Sequence, residues 1–266
     1  MRDTEPDPAV PSRRPRLSRR AIGLLTLAVV AVTILFLGIK YLRRTSDDQR
    51  CRRKLRYVSQ ALMNYLTSCG HLPPAYLMDS GGRRMHSWRA ILIPFVDSDE
   101  LSAFGDRYEF HEPWDGPANT RFLSDTAFYG YYSCPVYADG ARNADYLCVV
   151  GGALWPVPKR RGKDWKDPAS VDNRREGGFL PSRGKAILLV EVVESDIPWT
   201  KPEDISMAEI ALLLREDPGG DRFRRRIRHV VAVDAAGTPF VLDPALDINE
   251  IKQLVESEAA VNERLQ

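Results

Sequence analysis

Between Ala21 and Ile39 the pattern of hydrophobic and polar positions has no polar face. The run AIGLLTLAVVAVTILFLGI holds 19 residues without a charge, and Thr26 and Thr33 carry its only hydroxyls. A helix rises 1.5 Å per residue, so this run is about 28 Å long, close to a hydrocarbon core of roughly 30 Å. A surface helix of a soluble protein would show a polar stripe. The pattern therefore predicts a membrane span rather than a buried core helix. The run is also longer than the roughly 7–15 apolar residues of a signal peptide. Its exit, Lys40-Tyr41-Leu42-Arg43-Arg44, offers no small-residue cleavage site. The expectation is an uncleaved anchor. Ser18-Arg19-Arg20 shares only a basic pair with a twin-arginine export signal.

The period changes after the span. Cys51, Leu55, Val58, Leu62 and Tyr65 recur at spacings of 4 and 3, which is the apolar seam of an amphipathic helix over 47–68. Gly70 and Pro73-Pro74 stop it. Beyond Pro74 the elements are short. Helices are expected at 87–95, 99–104, 206–215 and from Ile248 onward, where Ile251, Leu254, Val255 and Ala259 mark one face. Ser206 is placed to cap its helix with Glu209. Strands are expected at 131–134, 146–150 and 185–193. The last, KAILLVEVV, is apolar almost throughout, as a central strand covered on both faces would be. Residues 229–233 and 239–242 flank Asp234-Ala-Ala-Gly237-Thr as a hairpin. One long helix followed by short antiparallel elements predicts an α+β protein with a small antiparallel-sheet head.

Four segments follow: a disordered basic tail at 1–20, the transmembrane helix at 21–39, a helical stalk at 40–68, and a head at 69–266. Within the head, the basic, aperiodic stretch 158–184 reads as an exposed loop. The net charge of +2 gives no reason to expect a nucleic-acid partner, but the charge is unevenly spread. Residues 1–56 hold 14 basic and 5 acidic side chains, while 57–266 hold 24 and 31. A basic arm brackets the span, suited to the lipid bilayer, and carries a mildly acidic head. Both flanks of the span are basic, so charge does not orient it.

Recognisable chemistry is sparse. His71, His86, His111 and His229 form no metal-binding spacing, and HEPWD puts Asp115 where a second histidine ligand would be. There is no Cys-x-x-Cys, Walker loop, dinucleotide fingerprint or Gly-x-Ser-x-Gly elbow. No catalytic residue, metal or cofactor is expected, and the chain does not read as an enzyme. Cys51 and Cys69 sit too far apart on one helix to bridge. Cys134 and Cys148 would come within reach if their strands paired, with free buried thiols as the alternative. The acidic stretch Glu191, Glu194, Asp196, Glu203, Asp204 fits no calcium loop. Candidate ligand-binding loop residues are Trp114, Asp115, Trp199, Glu203 and Asp204, with the small-molecule ligand unknown.

Several stretches taken in order resemble one bacterial family, domain of unknown function family 1559. They are CRRKLRYVSQALMNYLTSCGHLPPAY from Cys51, HSWRAILIPFV from His86 and YEFHEPWDGPAN from Tyr108. SCP at Ser133, YLCVVGG from Tyr146, AILLVEVVESDIPWTKPED from Ala186 and VVAVDAAGTPFVL from Val230 complete the series. Members of that family are similar to type IV pilins and type II secretion pseudopilins. The resemblance implies a long N-terminal helix, half in the membrane, and a head outside the cytoplasm, with the N-terminus inside. Two features depart from the family. Ala21-Ile-Gly-Leu-Leu-Thr replaces the usual prepilin leader junction, and no acid lies inside the span. His229 is present, but Ala236 stands where the family's late motif has Asp.

The functional expectation is a single-pass protein of the cytoplasmic (inner) membrane with a pseudopilin-like head. Its role would be structural or based on contacts with envelope or pseudopilin-like proteins. An envelope-anchored ligand-binding module is the alternative, and a membrane-tethered hydrolase the remotest reading.

Overall fold

The computed structural model describes residues 19–96, 107–124, 130–136, 143–158, 177–193, 195–214, 226–242 and 247–265. Contacts divide the chain into two units, Met1–Ser46 and Asp47–Gln266. The first contains the N-terminal part of helix α1 (Arg19–Cys69). Leu24, Leu27, Val32 and Phe36 on it are more than half exposed. Among the described residues this is the one helix long and apolar enough to cross a membrane. The hydroxyls of Thr26 and Thr33 donate to Gly23 O and Val29 O one turn back, so neither leaves a donor unsatisfied on the apolar helix.

The second unit is an α+β head that starts on the same helix. Cys51, Leu55, Val58, Leu62 and Tyr65 are all fully buried, so the 4-3-4-3 seam is the face on which the core is built. Burying each large side chain contributes about 1.5–3 kcal/mol. The helix ends where Gly70 adopts φ of 78°, and its N–H donates to Leu66 O at 2.8 Å.

Short elements follow. Strands β1 (Tyr76–Met78) and β2 (Arg84–Ser87) form an antiparallel hairpin. Ser87 then caps α2 (Trp88–Leu92), which continues as a 3₁₀ turn at Ile93–Phe95. A single turn, α3 (Pro117–Thr120), is organised by Asn119, whose amide reaches Glu109 O, Glu112 O and Pro113 O.

The main sheet is antiparallel and ordered β3 (Tyr146–Leu147), β5 (Lys185–Val193), β7 (Arg226–Asp234), β8 (Pro239–Leu242). β5 is buried along nearly its whole length, as its nearly continuous apolar run predicts. β7 and β8 make the expected hairpin, turned at Gly237 with φ of 80°. β4 (Val149–Val150) pairs in parallel with β6 (Ile205–Ser206). α4 (Met207–Leu213) opens on the predicted capping box of Ser206 and Glu209. α5 (Ile248–Leu265) buries Ile251, Leu254 and Val255. A long N-terminal apolar helix with antiparallel sheets is the α+β arrangement of pilin-like proteins.

Three expectations change. Residues 130–132 are helical rather than extended. Tertiary contacts override the local preference there: the Tyr132 ring stacks on Trp199 and its hydroxyl donates to Arg89 O at 2.7 Å. The single strand expected at 146–150 is two, because the chain switches partner at Cys148. Tyr146–Leu147 pair with β5 and Val149–Val150 with β6. Cys134 is bridged to Cys51, not Cys148. The helix expected at 99–104 lies outside the described residues, as do 159–176 of the basic loop. Beyond that gap, Gly177 and Gly178 are buried. A Cβ on Gly178 would sit 1.7 Å from Leu154 O, so only glycine allows the approach.

Candidate functional site

Two groups of buried charges stand out among the described residues of the head. The first is built on Arg89, a fully buried residue of α2. Its Nε donates to Trp199 O at 2.8 Å. Nη1 reaches Asp204 Oδ1 at 2.6 Å, and Nη2 reaches Lys201 O at 3.0 Å and Glu203 O at 2.9 Å. Asp204 Oδ1 also accepts Trp88 Nε1 and Cys148 N, each at 3.0 Å. The segment Trp199–Asp204 is thus wrapped around one guanidinium, with its carbonyls pointing inward.

This group takes in three of the candidate loop residues. Trp199 and the Asp204 side chain are buried. Glu203 is partly exposed and pairs with Lys201. Burial raises the pKa of Asp204 and Arg89 opposes that rise. Trp114 and Asp115 belong to a separate set of contacts. Trp114 N donates to Met85 O at 2.9 Å, and Asp115 pairs with Arg83 at 2.9 Å. Both Arg83 and Asp115 are exposed, so their pair contributes at most about 1 kcal/mol.

The second group, which sequence reasoning missed, sits on the main sheet under α1. Glu191 lies on β5 between Tyr146 of β3 and His229 of β7, its partners across both ladders. The β5–β7 register shifts between Glu191 and Val192, a bulge of the sort that re-aims side chains at functional sites. His229 Nδ1 contacts Glu191 Oε2, and its Nε2 lies 3.0 Å from Asp48 Oδ1 on α1. One imidazole therefore bridges two carboxylates.

Arg228 completes the set. Its Nη1 lies 3.1 Å from Cys51 Sγ, 3.4 Å from Cys134 Sγ and 3.8 Å from Glu191 Oε1. Its Nη2 lies 3.5 Å from Asp48. Cys51 and Cys134 form a disulfide with Cα atoms 5.1 Å apart, while Cys69 and Cys148 are not in a disulfide. The loop of Cys134 is held to the sheet by Asp145. Its carboxylate accepts Cys134 N at 2.7 Å, and its backbone joins Tyr132 and Val192.

The electrostatics grade from inside to outside. Glu191 and His229 are buried, the Arg228 side chain is 16% exposed and that of Asp48 is 34% exposed. Burial works against ionised Asp48, but the Arg52 hydrogen bond and the charges of His229, Arg52 and Arg228 hold it below the usual carboxylate range. Burial pushes Asp145 up to about 7; the Cys134 N–H opposes this and the Glu191 charge adds to it. Burial, with Glu191 and Asp145 nearby, also raises the Tyr146 hydroxyl.

Two signals in the sequence mark this group. Glu191 is the one charge inside the apolar run AILLVEVV from Ala186, and Cys51 opens the apolar seam of the helix. A buried central strand keeps a carboxylate only when partners await it. The partners come from three distant segments, so their identity could not be read locally.

Residues 43–167 match the model of a protein family described as Protein of unknown function (DUF1559), SBP_bac_10, the family named by the resemblance above. No curated protein and no solved structure matches the chain.

Proposed function

Starting from the family match over residues 43–167, we propose that the chain is a single-pass protein of the cytoplasmic membrane. Its N-terminus faces the cytoplasm and its pseudopilin-like head lies outside. The head works by contact with envelope or pseudopilin-like proteins rather than by catalysis, and α1 meets the lipid bilayer directly. The observation that carries this reading is the Cys51–Cys134 disulfide in the head unit of a chain with one apolar N-terminal helix. Disulfides persist in oxidising compartments and are rare in the cytoplasm. Retention of the N-terminus inside and export of the head would give the bridge its compartment.

Fusion of alkaline phosphatase after Gln266, an enzyme active only where disulfides form, tests the orientation. An active fusion that stays with the membrane after carbonate washing is the expected result. An inactive fusion, with Cys51 and Cys134 alkylated as thiols in intact cells, would overturn it. Crosslinking in intact cells then tests the contact role. Recovery of crosslinked envelope proteins supports it, and a head that crosslinks to no protein refutes it.

A further inference from the structure

Two sulfurs and a carboxylate converge at the inner end of the second charge group. The ligand atoms of Cys51, Cys134 and Glu191 lie within 4.8 Å of one another, and all three residues are buried. They come from α1, the 130–136 segment and the central strand β5. We propose that in the dithiol state of the head these three residues form a divalent-cation site of the zinc class, of which the disulfide is the closed, metal-free form.

The donor set fits that class. Two thiolates and one carboxylate are a borderline-soft set, and three protein ligands leave a fourth tetrahedral position for water. Charge supports the assignment too. Two thiolates and Glu191 carry three negative charges, which a dication and Arg228 together neutralise. The same dithiolate without an ion would leave uncompensated charge in a buried site, which is costly. Arg228 Nη1 reaches both sulfurs and would favour their ionised form. Glu191 is held in place through Oε2 by His229, itself held by Asp48. Ligating carboxylates are ordinarily held by hydrogen bonds from outside the coordination shell, the part that His229 would take here. The other oxygen, Glu191 Oε1, accepts no hydrogen bond among the described residues.

The two states exclude each other. A dithiol reductant breaks the Cys51–Cys134 bond: two electrons pass to the two sulfurs, its own sulfurs join as a disulfide, and its two protons move to Cys51 and Cys134. Those protons leave when the ion binds. Oxidation reverses the sequence and expels the ion. Every newly made chain begins as the dithiol, so a head that folds before it is oxidised would hold the site.

The test uses the full chain in detergent, reduced with a phosphine, desalted under nitrogen and equilibrated with Zn²⁺. Native mass spectrometry should find a single zinc on the reduced chain and none on the oxidised chain. Co²⁺ in its place should give thiolate-to-metal charge-transfer absorption. Glu191→Gln should weaken zinc binding at least about tenfold. Re-formation of the Cys51–Cys134 bridge on oxidation shows that this variant has folded. A Cys69→Ser, Cys148→Ala double variant should bind zinc as the parent does. A reduced chain that takes no zinc, an oxidised chain that takes it equally well, a folded Glu191→Gln variant of unchanged affinity, or loss of binding in the double variant would each overturn the proposal.

Discussion

The Arg89 group and the His229 group are both buried charge clusters in one small head, but they are finished differently. Arg89 spends its donors on three carbonyls and a carboxylate, and no part of its side chain is exposed. Around His229 the charges run out to the surface through Arg228 and Asp48; each cluster keeps one buried carboxylate oxygen without a hydrogen bond among the described residues, Asp204 Oδ2 in the first and Glu191 Oε1 in the second. A buried polar group left short of partners costs about 1–3 kcal/mol, a cost that both clusters carry, so exposure rather than satisfaction separates them. The first cluster is scaffold: it fastens the loop Trp199–Asp204 to α2. The second reaches solvent through Arg228 and Asp48. It is also joined to the one covalent crosslink among the described residues.

The sharpest way to break this comparison is at Arg89. Arg89→Met should cost about 3–5 kcal/mol, because it leaves the Asp204 charge buried without its partner and three carbonyls without donors. Urea unfolding of the solubilised chain measures it. A loss under about 1 kcal/mol would remove the distinction between scaffold and site.

The disulfide comes next. Cys51→Ser with Cys134→Ser should cost about 2–4 kcal/mol, since the bridge closes a long loop with a sequence separation of 83. Unfolding midpoints with and without a reductant should show the same difference in the parent chain. They should show none in the double variant.

Glu258 sharpens the comparison with a third buried carboxylate, one satisfied by backbone alone. From α5 it accepts Ile187 N at 2.6 Å and Ala153 N at 3.2 Å. Burial pushes its pKa from 4.5 to about 7, against the pull of those two N–H groups. Between those values the folded chain holds a proton that the unfolded chain has lost. Stability therefore falls as pH rises through that window, by on the order of 3 kcal/mol from this group. Asp145 acts in the same direction over a similar range. His86 acts the other way: burial lowers its pKa from 6.5 to about 4, so it gives a gain as pH rises across that interval. Glu258→Gln isolates one contribution. The stability difference between variant and parent should shift in favour of the variant as pH rises from about 4.5 to about 7. A pH-independent difference in urea midpoints would show that Glu258 is not charged at a cost.

The smallest effect belongs to the exposed capping box of α4. Ser206→Ala should cost about 1 kcal/mol, read as a small drop in thermal midpoint.

Which parts of this were legible from the sequence follows from range. The long apolar helix, the seam from Cys51 to Tyr65, the Ser206 cap, the β7–β8 hairpin and the central strand β5 all show in local periodicity or turn chemistry. Such signals need only a few neighbouring residues to be expressed. The helical turn at 130–132 and the split at Cys148 did not show, because distant contacts decide them: Trp199 under Tyr132, and β5 against β6 as partners on either side of Cys148. The candidate residues Trp199 and Asp204 were visible as unusual, but not as the lining of Arg89.

By itself the sequence determined that a long apolar helix would carry an α+β head, because hydrophobic burial imprints its period on every element that faces a core or a bilayer. It also marked Glu191 as a charge out of place. Only the tertiary structure decided that Asp48, Cys51, Cys134, Arg228 and His229 would gather around it. The physical reason is that a buried charge is tolerated by convergence in space, and convergence of residues up to 181 positions apart leaves no local trace.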